Sequence, residues 1–421
     1  MKTKAVRLYG KSDLRLETFE LPAINSGEIL AKVVSDSLCM SSYKAAKQGS
    51  DHKRVPNDIA ENPTIIGHEF CGEIIQVGSE WQHLFAAGDK FSIQPAFNYK
   101  GSQNAPGYSY QFIGGDATYV IIPREAMEMD CLLKYDSDAF FYGSLAEPMS
   151  CIVGTYHAFY HTRQGEYVHD MGIVEGGNMA ILAGVGPMGL GSIDYALHCD
   201  RRPKLLVVTD INDVRLDRAA RIYTVEEAAR MGVELHYVNT KEEGSFEKLM
   251  ALSGGEGYND VLVMAPVKPV IEQGDALLCK DGCLNFFAGP TDQSFSASLN
   301  FYNVHYSFTH IVGTSGGNTD DMKESLDMMS KGLINPVSMI THIGGLDSVV
   351  EATLHLPNIP GGKKLIYTHI SMPLTAIDDF AKLGESDSFF KGLADITANS
   401  GGFWSAEAEK YLLAHGTPIG E

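Results

Sequence analysis

The chain has 421 residues, and its 33 basic against 53 acidic side chains leave a formal net charge of −20 at pH 7. A field of that sign excludes nucleic acid and anionic membrane as expected partners, and an anionic substrate would have to meet a local basic exception. The length exceeds what one hydrophobic core sustains, so two domains are expected, and no run of 18 apolar residues is available to span a bilayer.

The first third alternates between apolar and polar residues with frequent turn punctuation, as in Gly27–Val34, Gly72–Val77 and Ala117–Pro123. This period of two predicts strands with one wet face, closing into a small, partly open β-barrel. Beyond about residue 150 the pattern becomes buried-strand runs separated by helix-like segments: Met179–Ala183, Leu205–Asp210, Val261–Met264, Cys283–Phe287 and His310–Gly313. Strands alternating with helices predict a parallel, doubly wound sheet. A helical segment after residue 320 and the strand Lys364–Tyr367 are expected to return to the first domain, and the stretch after about Met372 receives no assignment. Seven cysteines, scattered and odd in number, do not form a disulfide framework. With no apolar stretch behind Met1–Arg7 to act as a leader, a reduced, cytoplasmic setting is expected.

Gly184-Val185-Gly186-Pro187-Met188-Gly189 fits G-x-G-x-x-G directly after a buried strand and at the start of a helical stretch. In that context Gly184 permits the tight turn, Gly186 the approach of a pyrophosphate, and Gly189 close packing of helix on strand, with Pro187 and Met188 opening the helix. Asp210, 26 residues beyond Gly184, ends the next strand. A carboxylate there accepts from a ribose 2′-hydroxyl and repels a 2′-phosphate, which favours NAD, while Arg215 leaves NADP possible.

Two segments carry metal-ligand chemistry, Asp36-Ser37-Leu38-Cys39-Met40-Ser41-Ser42 and Ile65-Ile66-Gly67-His68-Glu69-Phe70-Cys71-Gly72, and a third candidate is Glu147 beside Pro148. A thiolate, an imidazole and carboxylates suit a zinc ion with one open position. Read singly, Cys39 is as compatible with core filler and His68 with a satisfied core histidine.

In combination, Gly67-His68-Glu69-x-x-Gly72 with Gly78 five residues later resembles the signature of zinc-containing alcohol dehydrogenases of the medium-chain dehydrogenase/reductase superfamily. The signature's last position usually carries a smaller residue than Trp81. The resemblance runs from Lys4 to about Tyr367 and includes Gly88–Phe91, Gly114–Val120, Glu147-Pro148 and the glycine turn, in the family's order. It implies a GroES-like β-barrel catalytic domain (1–159 and 319–421) and a Rossmann dinucleotide-binding domain (160–318). Within the family the chain is similar to the sorbitol dehydrogenase branch. That implies one catalytic zinc held by Cys39 and His68, with Glu69 and Glu147 as candidate ligands or partners of a metal-bound water. It also implies a proton-passing hydroxyl at Ser41 and a homodimer or homotetramer. Two departures stand out. The stretch Gln94–Gly115 contains no cysteine, so a second, structural zinc is not expected, and Ser42 stands where relatives carry an aspartate that orients the histidine. Lys44 occupies the position of a relay histidine in some relatives.

The run Lys44–Arg54 places four basic side chains between the two metal segments of an acidic chain. A phosphorylated sugar would use such a cluster, with Lys44, Lys53 and Arg54 as phosphate contacts; a plain polyol would not. A solvated loop or a contact to cofactor phosphate would look the same in sequence. The wording of Arg7–Glu17 and Asp36–Ser42 resembles the sugar-phosphate-reducing members of the family and implies interconversion of L-sorbose 1-phosphate and D-glucitol 6-phosphate. The alternatives are a dehydrogenase of an unphosphorylated polyol or secondary alcohol, a zinc-free quinone or enoyl reductase, and a non-enzymatic NAD-binding protein.

Overall fold

The structure is a computed structural model that describes residues 1–420. Two compact units divide the chain. One comprises Met1–Glu147, Ser325–Ser330 and the chain from Ile340 onward; the other comprises Pro148–Glu324 and Lys331–Met339.

The first unit is organised around the strand Ile29–Leu38, which is almost entirely buried. It pairs antiparallel with Phe70–Val77, with Lys363–Tyr367 and, along its first half, with Tyr119–Ile122. These belong to an eight-stranded sheet whose path runs from Thr375–Ala376 to Leu132–Lys134. Residues adjacent in sequence feed different cores, because successive side chains of a strand point to opposite faces. Ala5 and Ile65 pack with Val33, Phe70 and Phe91, whereas Val6 and Ile66 pack with Leu38, Ala45 and Ile366. The residues after Met372 form three helices, Phe380–Leu383, Ser388–Asn399 and Ala406–His415, with Trp404 buried before the last.

The second unit contains a six-stranded parallel sheet ordered Glu234–Asn239, Leu205–Asp210, Asn178–Leu182, Tyr258–Val263, Leu278–Phe286, His310–Gly313. Its order reverses at Asn178–Leu182, the position at which doubly wound sheets bind dinucleotides. The barrel-like and doubly wound architecture is therefore the one read from the periodicity; of the six parallel strands only Glu234–Asn239, half of it polar, was not singled out there. No helix among the described residues is long and apolar enough to cross a membrane, and all seven cysteines are free.

Candidate metal centre and cofactor turn

The strand Ile29–Leu38 stops at a junction where Cys39, in extended conformation, is the N-cap of the helix Met40–Gln48. The backbone of Ser42 bonds back to the Cys39 carbonyl at 3.0 Å, so Cys39, Ser41 and Ser42 are presented by one tight turn. The second segment enters from the other side. Gly67 has φ +88°, and a Cβ there would meet the Asp116 backbone nitrogen at 2.7 Å, so glycine is required to turn the chain ahead of His68. Donation from the Ser37 backbone N–H to the Glu69 carbonyl at 3.1 Å then ties the two segments together.

The result is a cluster in which donor atoms of Cys39, His68 and Glu69 lie within 4.8 Å of one another. Ser41 Oγ sits 3.0 Å from Cys39 Sγ and 3.2 Å from His68 Nε2, and Ser42 Oγ lies 3.2 Å from His68 Nδ1. The imidazole thus turns Nε2 toward the Ser41 hydroxyl, itself beside the thiol, and Nδ1 toward the buried Ser42 hydroxyl. Burial pushes the His68 imidazole down to about 4, keeping the neutral form that ligates metals. Burial, with the Glu69 charge adding to it, pushes the Cys39 thiol up to about 12, and a divalent cation would take the place of that proton. A soft thiol, a neutral imidazole and nearby carboxylates form a donor set that fits zinc.

Glu69 has a partner that the sequence did not disclose. Lys363 Nζ donates to both of its carboxylate oxygens at 2.6 Å, in a pair whose side chains are 8% and 2% exposed. Burial alone would raise Glu69, but the Lys363 ammonium, together with His68 and Ser37, outweighs it and holds the carboxyl below its usual range. Glu147 lies on the helix Phe141–Ala158 and stands outside the three-residue cluster; its charge nonetheless reaches the site, raising both Cys39 and Lys363.

Of the basic run, adjacent residues have opposite fates. Lys53 is exposed, whereas Arg54 is half-buried and its charge acts on His68. Arg54 Nε is buried and meets no acceptor among the described residues, and the guanidinium lies 5.4 Å from the centre of the Tyr108 ring. Lys44, on the helix Met40–Gln48, acts on His52. Tyr108 is the residue that sequence reasoning missed. Its hydroxyl is 3.3 Å from His68 Nε2, and its ring stacks on His52 with centroids 5.5 Å apart. It stands in the cysteine-free stretch, where nothing in the local pattern marks it.

In the second unit the strand Asn178–Leu182 leads through the glycine turn into the helix Pro187–His198, with Gly186 as N-cap and Pro187 in its first turn. A Cβ on Gly189 would come 2.1 Å from the Gly184 carbonyl oxygen, so the packing of helix on turn requires glycine there. The helix has no acidic residue in its first turn, which leaves its N–H groups free to meet a phosphate. Asp210 ends its strand with Oδ1 accepting from the backbone N–H groups of Ile211 and Asn212 at 2.9 and 3.1 Å. Arg215 Nη2 lies 3.4 Å from where a Cβ on Gly186 would be, which puts its guanidinium over the turn.

Comparison with known proteins agrees with this geometry. Residues 25–130 match the family model of the alcohol dehydrogenase GroES-like domain, and residues 187–331 match that of zinc-binding dehydrogenases. The chain is 51% identical to the L-sorbose 1-phosphate reductase of Klebsiella pneumoniae over 99% of its length and 98% of the relative's. It is 53% identical to the mannitol-1-phosphate 5-dehydrogenase of Aliivibrio fischeri, over 98% and 97% respectively. Among solved structures, the 2R,3R-butanediol dehydrogenase of Bacillus subtilis superposes with a TM-score of 0.68 at 19% identity, covering 87% of this chain and 99% of its own. A zinc-binding dehydrogenase of Sinorhizobium meliloti, solved bound to NADP, gives the same values and supports the fold. The chain belongs to the zinc-binding dehydrogenases, the family of GroES-like alcohol dehydrogenases.

Proposed function

We propose that this chain reduces a ketose phosphate to a polyol phosphate with a nicotinamide cofactor, and that its substrate pair is L-sorbose 1-phosphate and D-glucitol 6-phosphate. The observation that carries the reading is the juxtaposition of a thiol–imidazole–carboxylate cluster with a buried, unmatched Arg54 Nε. The chemistry of reduction needs the first, and a phosphate ester supplies the acceptor missing from the second. The names of two relatives about half identical to the chain point the same way.

Cys39 and His68 would hold a single zinc ion, with Glu147 or Glu69 as a further ligand or as partner of a water. When bound, zinc supplies Lewis-acid polarisation of the substrate carbonyl. A bound nicotinamide would supply hydride to the carbonyl carbon, and Ser41 Oγ, a hydroxyl able to donate and accept, would relay a proton from solvent to the carbonyl oxygen. His68, held at Nδ1 by Ser42, keeps its other nitrogen directed at Cys39 and Ser41. Arg54, with Lys44 and Lys53 behind it, fixes the phosphate and thereby the orientation of the sugar. Gly184, Gly186 and Gly189, with the helix opened by Pro187 and Met188, would receive the pyrophosphate of NAD. Asp210 favours the free ribose over its phosphate, and Arg215 would pair with the pyrophosphate.

The domain assignment that accompanies this reading is a catalytic part of 1–159 with 319–421 and a cofactor part of 160–318. We also place the protein in the cytoplasm, where its free thiols stay reduced, and read it as a homo-oligomer. His310–Gly313 is an open edge of the parallel sheet, and the nearby Phe301, Tyr302 and Tyr306 are all exposed, so self-pairing would cover both.

The test is cofactor oxidation over a panel containing L-sorbose, L-sorbose 1-phosphate and fructose 6-phosphate. Arg54→Gln removes one charge-assisted contact, so KM for the phosphorylated substrate should rise roughly 10- to 100-fold with KM for NADH unchanged. Equal turnover of free and phosphorylated ketose, or equal effects on both KM values, would sink the phosphate assignment in favour of a plain polyol dehydrogenase.

A further inference from the structure

We infer that Glu409, on the last helix of the chain, is a positioning residue of the metal centre: one buried carboxylate fixes both the helix that carries Glu147 and the strand that carries Lys363. The inference rests on the reading of Cys39 and His68 as a zinc site.

Glu409 belongs to the helix Ala406–His415, an element with several exposed residues, yet it is only 2% exposed itself. A carboxylate is removed from water at high cost unless its oxygens are matched. Here each oxygen is used. Oε1 accepts from the Phe140 backbone N–H at 2.5 Å, and Oε2 accepts from the Phe141 N–H at 2.9 Å and from the Tyr367 hydroxyl at 2.8 Å. Trp404 Nε1–H donates in turn to the Tyr367 oxygen at 2.8 Å, which orients that hydroxyl.

The two elements so joined are the ones that supply the metal centre's charges. Phe140 and Phe141 open the helix Phe141–Ala158, whose own first turn contains no acidic residue, so the orphan N–H groups and the positive end of the helix are met by a side chain 268 and 269 residues away. Glu147 sits six residues into that helix, about 9 Å along its axis at 1.5 Å per residue. Tyr367 ends the strand Lys363–Tyr367, and Lys363 at its other end is the ion partner of Glu69. Shifting the helix start moves Glu147, and shifting the strand moves Lys363 and through it Glu69. Trp404 and Glu409 thus make the C-terminal helices part of the centre's scaffold.

The test compares three variants of the full chain: Glu409→Gln, Glu409→Asp, and Leu393→Ala, which cuts a fully buried side chain from the neighbouring helix without touching Glu409. Zinc content, the rate of zinc loss to a chromophoric chelator, Tm and kcat are measured for each. Loss of an outer partner of a metal site typically weakens it 10- to 100-fold, so Glu409→Gln should speed zinc loss by about tenfold or more and lower kcat with KM for NADH unchanged. Glu409→Asp should recover part of both. Leu393→Ala should lower Tm, as truncation of a core side chain does, yet leave zinc loss within about twofold of wild type. If Glu409→Gln is insoluble, Tyr367→Phe removes one bond of the same chain and should still speed zinc loss. Wild-type zinc retention in Glu409→Gln, or zinc loss that rises with the fall in Tm in every variant, Leu393→Ala included, overturns the positioning role while leaving the zinc site standing. A wild-type protein that takes up no zinc overturns the metal reading itself, and this inference with it.

Discussion

Replacing Lys363 by methionine removes the ammonium from a carboxylate that it contacts twice at 2.6 Å, in a pair nearly sealed from water. Methionine fills similar volume, so the main consequence is electrostatic: Glu69 is left buried and unmatched. Breaking one partner of a buried pair costs about 3–5 kcal/mol, and Glu69→Gln should cost a similar amount by stranding Lys363. The double variant strands neither, so its loss should fall short of the sum by about 2 kcal/mol or more. The pH dependence has a definite sign. In the native protein Glu69 is held below its ordinary range, so its contribution is present above about pH 4.5 and is lost as pH falls through the depressed value. In Lys363→Met burial, the largest influence on Glu69, loses its main opponent and raises the carboxyl instead, so the variant sheds stability as pH climbs above 4.5. The gap between the two proteins therefore widens from pH 4 toward neutrality. Urea unfolding of metal-free protein across pH 4–8, run as a double-variant cycle, measures both effects. Additive losses, or a gap that does not vary with pH, would refute the buried-pair account.

Ser42→Ala removes one of the two side-chain oxygens, the other being that of Tyr108, that lie 3.2 Å from His68 Nδ1 among the described residues, and zinc affinity measured by chelator competition should fall roughly 10- to 100-fold. Unchanged affinity would mean that Tyr108 suffices to orient the ring. Ile311→Lys places a charge on the open strand His310–Gly313, and light scattering should then report a smaller assembly than wild type, since a charged edge resists strand pairing; an unaltered mass would move the contact elsewhere.

The two-domain architecture and the glycine turn were legible because each is encoded within a short stretch. Period-two alternation reports one buried strand face, and a glycine between strand and helix reports a turn whose backbone geometry excludes a Cβ. Gly189 illustrates this: its identity is fixed by a carbonyl only five residues away. Cys39, His68 and Ser41 were singled out instead by resemblance to the family's ordered motifs, since each alone also reads as a core or turn residue.

What the chain alone could not disclose lies in pairs far apart in sequence. Glu69 reads in sequence only as a ligand candidate, and nothing local discloses that Lys363, 294 residues on, contacts both its oxygens. Lys53 and Arg54 are indistinguishable as neighbours in a basic run, yet one faces solvent and the other lies against Tyr108. Glu409 sits in a stretch that carries no motif. Local pattern determines which backbone conformations are available and which faces are apolar, so it determined the fold class, while the metal residues were marked by resemblance to family motifs. Which charges meet in the low-dielectric interior is decided by packing of distant segments, and only the tertiary structure could place Lys363, Tyr108 and Glu409 around that motif.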